Sequence, residues 1–282
     1  MRILGILCDA FLDTIKIWPF LWMIYLMFEY IGNKRNVLTR KSKLTPVLGA
    51  LSGCIPQCGA SVAAASLYAD GIITVGTLFA VFLSTSDEAI PLMMTYPQEW
   101  QTIIKLIVIK LIFASIIGIL IDYFVPHHHK EASNSSQGSH QNHDFCCRKK
   151  TKSIFQVAFN RSLKVVGFLM VMTIVINVII TLIGEASLSN LLFSNTWGQP
   201  FIAALIGLIP NCISSVLLTD LYLQGIITFG SVLAGLCTGA GAGLLVLFQQ
   251  NKSIKQNLLI VIILYLLGAT IGLTFHNMIG VV

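Results

Sequence analysis

Charge is what this sequence has least of. Only 11% of its 282 residues are Asp, Glu, Lys or Arg, while 55% are hydrophobic and the mean hydropathy is +0.81. Soluble domains carry roughly 25% charged residues, and a chain this apolar folded in water would expose far more apolar surface than water tolerates. An unusually apolar soluble α-protein is the reading this argues against; lipid is the expected solvent. Residues 1–10 lack the apolar core and small-residue cleavage site of a signal peptide, and read as the lead-in to a first membrane helix. Seven cysteines are present without an extracellular disulfide pattern, so no covalent framework is expected. There is no Gly-x-x-x-x-Gly-Lys-Ser/Thr motif, nucleophile elbow or metalloprotease helix. ATP hydrolysis, enzymatic chemistry and a bound cofactor are therefore not expected. The net charge of +6 is concentrated in loops, which makes it a topology signal before it is a nucleic-acid signal.

Apolar stretches at 10–31, 103–125, 155–183 and 257–282 are each long enough for a hydrocarbon core that needs about 20 residues. Between them, 44–96 and 198–248 are apolar but rich in Gly, Ala, Ser, Thr and Cys, and each is broken by proline. These two regions are copies. A gapless shift of 154 positions over residues 50–92 gives 16 identities in 43 positions, against roughly 4 expected by chance. It pairs Pro56 with Pro210, Cys58 with Cys212, and Ser61-Val62 with Ser215-Val216. It also pairs Leu67-Tyr68 with Leu221-Tyr222 and Gly71-Ile72-Ile73-Thr74 with Gly225-Ile226-Ile227-Thr228. A shift of 148 pairs Ala10-Phe11, Lys16 and Phe20-Leu21 with Ala158-Phe159, Lys164 and Phe168-Leu169. The chain thus divides into a first repeat (1–125), a linker (126–154) and a second repeat (155–282).

Basic residues orient the repeats. Lys34, Arg35, Arg40, Lys41 and Lys43 lie in 33–45; Lys130, Arg148, Lys149, Lys150 and Lys152 in the linker; Lys252 and Lys255 in 249–256. Neither 97–102 nor 185–199 contains Lys or Arg. Basic loops stay cytoplasmic, so 33–45 is inside while its counterpart 185–199 is outside. The expected fold is an all-α integral membrane protein of two inverted-topology repeats. Each has about five membrane segments, including a broken or re-entrant helix region, and both chain ends lie outside.

Inverted repeats with broken helices place substrate sites near the midplane, where unwound backbone faces a cavity. The breaks here run from Gly53 to Gly59 and from Gly207 to Cys212. Gln57 and Asn211 hold matching positions and offer amide groups; Cys54, Cys58 and Cys212 offer soft sulfur for thiophilic species, although a cysteine is also a small packing residue. Ser61, Ser215, Ser84, Ser86 and Thr238 add hydroxyls around the same breaks. The sharpest feature is Ser84-Thr85-Ser86-Asp87-Glu88, an acidic pair between apolar runs. Carboxylates at membrane depth are costly unless they face a cavity, a cation or a carried proton; the rival reading is a short external loop or a helix cap. The second half answers this stretch with Thr238-Gly239-Ala240-Gly241-Ala242-Gly243. Asp87, Glu88, Cys58 and Cys212 are thus candidate ligands of a substrate ion. Lys16 and Lys164 read as structural or topological, and Asp70, Asp122 and Asp220 as solvated groups near segment ends. In the linker, His127, His128, His129, His140, His143, Cys146 and Cys147 resemble a metal-collecting tract without fixed zinc spacing; a solvated tether is the rival.

With these residues laid out, the chain resembles the ten-transmembrane heavy-metal exporters, an arsenic-permease-like family also described as manganese transporters and arsenic efflux proteins. The resemblance rests on Gly53-Cys54-Ile55-Pro56-Gln57-Cys58-Gly59-Ala60-Ser61-Val62-Ala63-Ala64, on Leu67-Tyr68 and Gly71–Leu78, and on Phe82-Leu83-Ser84-Thr85-Ser86-Asp87-Glu88-Ala89-Ile90-Pro91. It implies a permease of the bacterial cytoplasmic membrane; the leading expectation is a secondary transporter exporting a metal ion, arsenical or metalloid, with a proton or sodium ion as coupling ion. A transporter of a small organic substrate on the same scaffold is the alternative, since fold does not fix function. A membrane enzyme using Asp87 and Glu88 is less favoured, because alternating access serves transport rather than catalysis.

Overall fold

The computed structural model describes residues 45–54, 59–86, 89–124, 162–172, 197–251 and 253–276, with Trp18, Pro19, Trp22, Met23, Phe159, Ile174 and Val175. The described residues are helical, with no strand among them. Five helices come from the first half: α1 (Thr45–Gly53), α2 (Gly59–Ala69), α3 (Val75–Ser84), α4 (Ala89–Met94) and α5 (Trp100–Phe124), with a 3₁₀ turn at Pro97–Glu99 before α5. Five come from the second: α6 (Gln199–Gly207), α7 (Cys212–Leu223), α8 (Phe229–Thr238), α9 (Ala242–Gln250) and α10 (Ile254–His276). A further apolar helical segment runs Ser162–Met172.

Only α5, α10 and the tandem Phe229–Gln250 are long and apolar enough to cross a membrane, among the described residues. Their burial separates two roles. The apolar windows of α5 and α10 are only 28% and 33% buried in the protein, whereas that of Phe229–Gln250, interrupted between α8 and α9, is 83% buried. Unbroken helices satisfy their own backbone and can face lipid; interrupted ones leave N–H and C=O groups unpaired and must be wrapped by protein. The exposed side chains of α5 fit a lipid-facing surface: Ile104, Val108, Ile112, Ile116, Ile119 and Leu120.

The sequence repeat is a packing repeat. In the first half α3 lies against α1 and α5; in the second α8 lies against α6 and α10. Between halves α2 packs on α9 while its counterpart α7 packs on α4, and α3 meets α8. Phe113 of α5 and Phe275 of α10 meet edge-on, with ring centroids 5.8 Å apart. Small residues set these approaches. A Cβ on Gly118 would lie 2.8 Å from the Gly76 carbonyl oxygen and 2.9 Å from the Cβ atoms of Ala80 and Pro46. The residues 154 positions later repeat this: a Cβ on Gly272 would meet Gly230 O at 2.6 Å, Ala234 Cβ at 2.5 Å and Pro200 Cβ at 3.2 Å. Helices meeting backbone to backbone at small residues are the usual solution in lipid, where no hydrophobic effect drives association.

The best-matched stretch of the repeat is turn chemistry. α2 ends with Ile72 N–H donating to Leu67 O (2.9 Å) and Gly71 N–H to Tyr68 O (3.0 Å), with Gly71 at φ +72°. α7 ends with Ile226 N–H on Leu221 O and Gly225 N–H on Tyr222 O, both 2.9 Å, with Gly225 at φ +74°. This pair of bonds closes a helix around a left-handed residue, for which glycine is favoured. Thr74 and Thr228 then cap the next helices, accepting from Thr77 N–H and Ser231 N–H. Each cap is reinforced from elsewhere. Asp122 on α5 accepts from Gly76 N–H (2.8 Å) and the Thr74 hydroxyl (2.6 Å). In the second half Gln199, at the start of α6, accepts from Thr228 N–H (3.2 Å) and the Ser231 hydroxyl (2.8 Å). Asp122 is therefore a capping residue and not merely a solvated one, and Asp220 accepts a hydrogen bond from Gln224 at 2.6 Å. Lys164 is exposed, and Lys16 lies outside the described residues.

Candidate functional site

Four helix interruptions face one another. At Gly53, where α1 ends, α3 occupies the space a side chain would need: a Cβ there would lie 2.0 Å from Ser84 Oγ and 2.7 Å from Val81 O. At Gly207, where α6 ends, the same holds: a Cβ would meet Gly235 O (2.1 Å) and Thr238 Oγ1 (2.5 Å). Each first break is thereby pressed onto the second break of its own half, where α3 ends at Ser84 and α8 at Thr238. The halves join at the starts of α2 and α9, since a Cβ on Gly243 would lie 2.8 Å from Ser61 Cβ.

Polar atoms collect there. Ser61, Ser84, Thr85, Ser86, Asn211, Ser215 and Thr238 are all buried. The Ser84 hydroxyl donates to Val81 O at 3.0 Å and that of Thr238 to Ala204 O at 2.8 Å, so the latter ties α8 to α6. Asn211 precedes α7 with extended backbone (φ −148°, ψ 144°), and its Oδ1 accepts from Cys212 Sγ at 3.4 Å. Cys54 and Cys212 are half-buried thiols, and Cys237 is a buried one. Gly241, at φ +52° and ψ −138°, holds a conformation that side chains avoid and starts α9.

At the joint sits a residue the sequence motifs did not single out. Lys110 of α5 is 1% exposed. Its ammonium donates to the Thr85 carbonyl, to Ser86 Oγ (3.0 Å) and to the Leu236 carbonyl (2.8 Å). Both carbonyls belong to helix ends. Thr85 follows α3, and Leu236 lies in the last turn of α8, where Ala240 N–H turns instead to Thr238 O at 2.8 Å. Terminal carbonyls carry the negative end of the helix dipole and lack intrahelical partners, so one cation serves two helices from different halves. Burying an ammonium costs several kcal/mol; hydrogen bonds to a charged group return about 1.5–3 kcal/mol each. Three bonds of that size are of the right order to offset the cost. Cys54 and Cys237 both feel this charge. A signal was present in the sequence: the 154 shift sets Lys110, in the middle of a long and largely apolar helix, against Leu264.

Of the expected site residues, Ser84, Ser86, Cys54, Ser61, Asn211, Cys212, Ser215 and Thr238 are carried by the helix breaks and the starts of α2 and α7. Gln57, Cys58, Asp87, Glu88 and the linker residues His127, His128, His129, His140, His143, Cys146 and Cys147 lie outside the described residues. Among the described residues no cluster of three or more His, Cys, Asp or Glu is assembled. No curated protein and no solved structure matches the chain. The family described as "Putative, 10TM heavy-metal exporter" matches residues 2–183 and 150–280. Matched along nearly its whole length, this chain, whose described residues are helical with exposed long apolar helices and buried interrupted ones, belongs to that exporter family.

Proposed function

We propose that this protein is a secondary transporter exporting a metal ion, arsenical or metalloid across the bacterial cytoplasmic membrane, through a midplane site where its two inversely oriented repeats meet. The observation that carries this reading is the convergence of four helix interruptions on buried polar groups inside an apolar shell. Irregular backbone at membrane depth is tolerated where it is buried or lines a cavity, and transporters put substrates there. Asp87 and Glu88 follow Ser86 in the chain and supply charge for a cation or proton. Cys54, Cys58 and Cys212 add thiophilic character, with Gln57 and Asn211 as polar neighbours. The linker tract 126–154 is a secondary collecting site on the cytoplasmic side. A small organic substrate is the alternative reading.

Flux measurements in inside-out vesicles across cadmium, zinc, manganese and arsenite test this directly. Saturable accumulation of at least one is expected; transport of none would reject the metal reading. Asp87→Asn with Glu88→Gln is expected to abolish that flux with membrane levels unchanged, and wild-type flux in the double variant would remove the acids from the mechanism. Topology is tested by fusions at residue 140 and after Val282: fluorescence at the first and alkaline phosphatase activity at the second are expected, and a fluorescent C-terminal fusion contradicts the inverted arrangement.

A further inference from the structure

Asp122, at the end of α5 that leads into the linker, bonds Thr74 and Gly76 where α3 starts. α1 runs beside α3 in the same direction: a Cβ on Gly49 would lie 3.0 Å from Thr77 Cγ2, and one on Gly53 3.3 Å from Ser84 Cβ. α2 ends in the turn at Gly71, which leads straight into α3. The start of α1, the end of α2 and the start of α3 thus gather at the linker end of α5. In the second half Gln199 joins the start of α6 to Thr228 and Ser231 at the start of α8, and α7 ends just before them in the turn at Gly225. The end of α7 reaches the opposite end of α5, through the Tyr222 hydroxyl and Thr102.

Two equivalent seams join the halves, α2 with α9 and α7 with α4, and the first is the more closely packed. There Gly243 approaches Ser61 so nearly that a Cβ would stand 2.8 Å from the serine Cβ and 2.9 Å from its carbonyl carbon and oxygen. Val62, Ala63 and Ser66 of α2 are 0%, 7% and 2% exposed. Their counterparts on α7, Val216, Leu217 and Asp220, are all part-exposed, as is Cys212 one turn earlier. On the partner helices Val246 is 0% exposed, whereas its counterpart Leu92 is part-exposed. Positions four apart share a helix face, so Cys212, Val216, Asp220 and exposed Gln224 form one open strip along α7. A strip that carries a carboxylate is costly against hydrocarbon and suits water.

We infer that α1–α2 and α6–α7 are re-entrant hairpins entering from opposite sides, and that the α2–α9 seam is a closed gate while the α4–α7 seam is its open counterpart. This rests on the transport reading above and names the gates that reading needs. The conformer is sealed toward the linker and open toward the far side, where Cys212 meets water. Because the seams are built from equivalent helices, exchanging their states gives the conformer that opens toward the linker. Its seal brings Ala89 of α4 against Ser215 of α7, the counterparts of Gly243 and Ser61. Ala89 carries the Cβ that Gly243 lacks, so that seal is the looser of the two.

Right-side-out and inside-out vesicles carrying the full-length protein are treated with a sulfonated, membrane-impermeant maleimide, and modification of Cys212 is read by mass spectrometry. The fusion at residue 140 identifies the linker side. Wild type is expected to be labelled from the far side at least about tenfold faster than from the linker side. Gly243→Ala wedges the closed seam and Ala89→Gly lets the open one close, so both should lower that ratio, by roughly tenfold and threefold. If one variant fails to fold, the other and wild type still decide. Labelling equal from both sides, faster from the linker side, or absent from both overturns the inference, as does an unchanged ratio in a folded variant. Sided labelling that responds to the variants, without cadmium, manganese or arsenite flux in the same vesicles, overturns the transport reading instead and leaves the seams standing.

Discussion

Gly118 lies against Gly76, Ala80 and Pro46 in the first half, and Gly272 against Gly230, Ala234 and Pro200 in the second. Around the helix breaks the same two halves part company. The first has Ser84-Thr85-Ser86-Asp87-Glu88 and Lys110 where the second has Thr238-Gly239-Ala240-Gly241-Ala242 and Leu264. Packing has been kept twice, while charge is written in the sequence of one copy only. A symmetric scaffold needs small residues at the same close approaches in both copies, since backbone cannot pass through a side chain. On the transport reading proposed above, a binding site has no such need: charge carried by one copy of the repeat leaves room for an ion that two charged copies would crowd.

The scaffold half of that comparison breaks first under a bulky residue. Gly118→Val and Gly272→Val are each expected to prevent folding, because the new Cβ would stand within 2.8 Å and 2.6 Å of a facing carbonyl oxygen. Overpacking against rigid backbone costs at the upper end of about 1–3 kcal/mol or beyond. Size-exclusion profiles of detergent extracts would register the loss, and survival of one variant alone would show the halves unequal in packing. A smaller effect attaches to the helix caps, where different residues do the same work. Asp122→Ala and Gln199→Ala should each cost about 1–2 kcal/mol, the usual worth of a cap, seen as similar drops in melting temperature. Equal losses would establish that an acid at the end of α5 and an amide at the start of α6 are interchangeable solutions. The smallest effect belongs to Gly71→Ala and Gly225→Ala. Both glycines have positive φ and nothing within 4 Å of the new methyl, so only the left-handed backbone is penalised, by about 1 kcal/mol. A difference between the two would point to a role beyond the turn.

Much of this was legible in the residues. Leu67-Tyr68 and Gly71-Ile72-Ile73-Thr74 recur because a left-handed glycine closing one helix and a threonine capping the next are local requirements, written in adjacent residues. The breaks at Gly53 and Gly207 were visible as proline and glycine in apolar surroundings, and the outer helices as long apolar runs. Asp122 reads from the sequence as a solvated group, and no motif singles out Lys110. Asp122 accepts from a helix N–H 46 residues earlier, and Lys110 bonds a carbonyl 126 residues away. No local pattern records a partner at that distance. Lys110 was discoverable only as an asymmetry against Leu264, and Gln199 has no repeat-matched acid to draw attention to it.

By itself, then, the sequence determined the solvent, the duplication and the places where helices must stop. Composition, glycine conformation and proline's missing donor act within a few residues of where they are written. Only the tertiary structure decided that the four stops meet, that the interrupted helices are wrapped while α5 and α10 face outward, and that a mid-helix lysine closes the joint between the halves. Those outcomes depend on which carbonyls are left without partners once the helices pack. A buried ammonium goes where unpaired oxygens gather, and that place exists only in the folded chain.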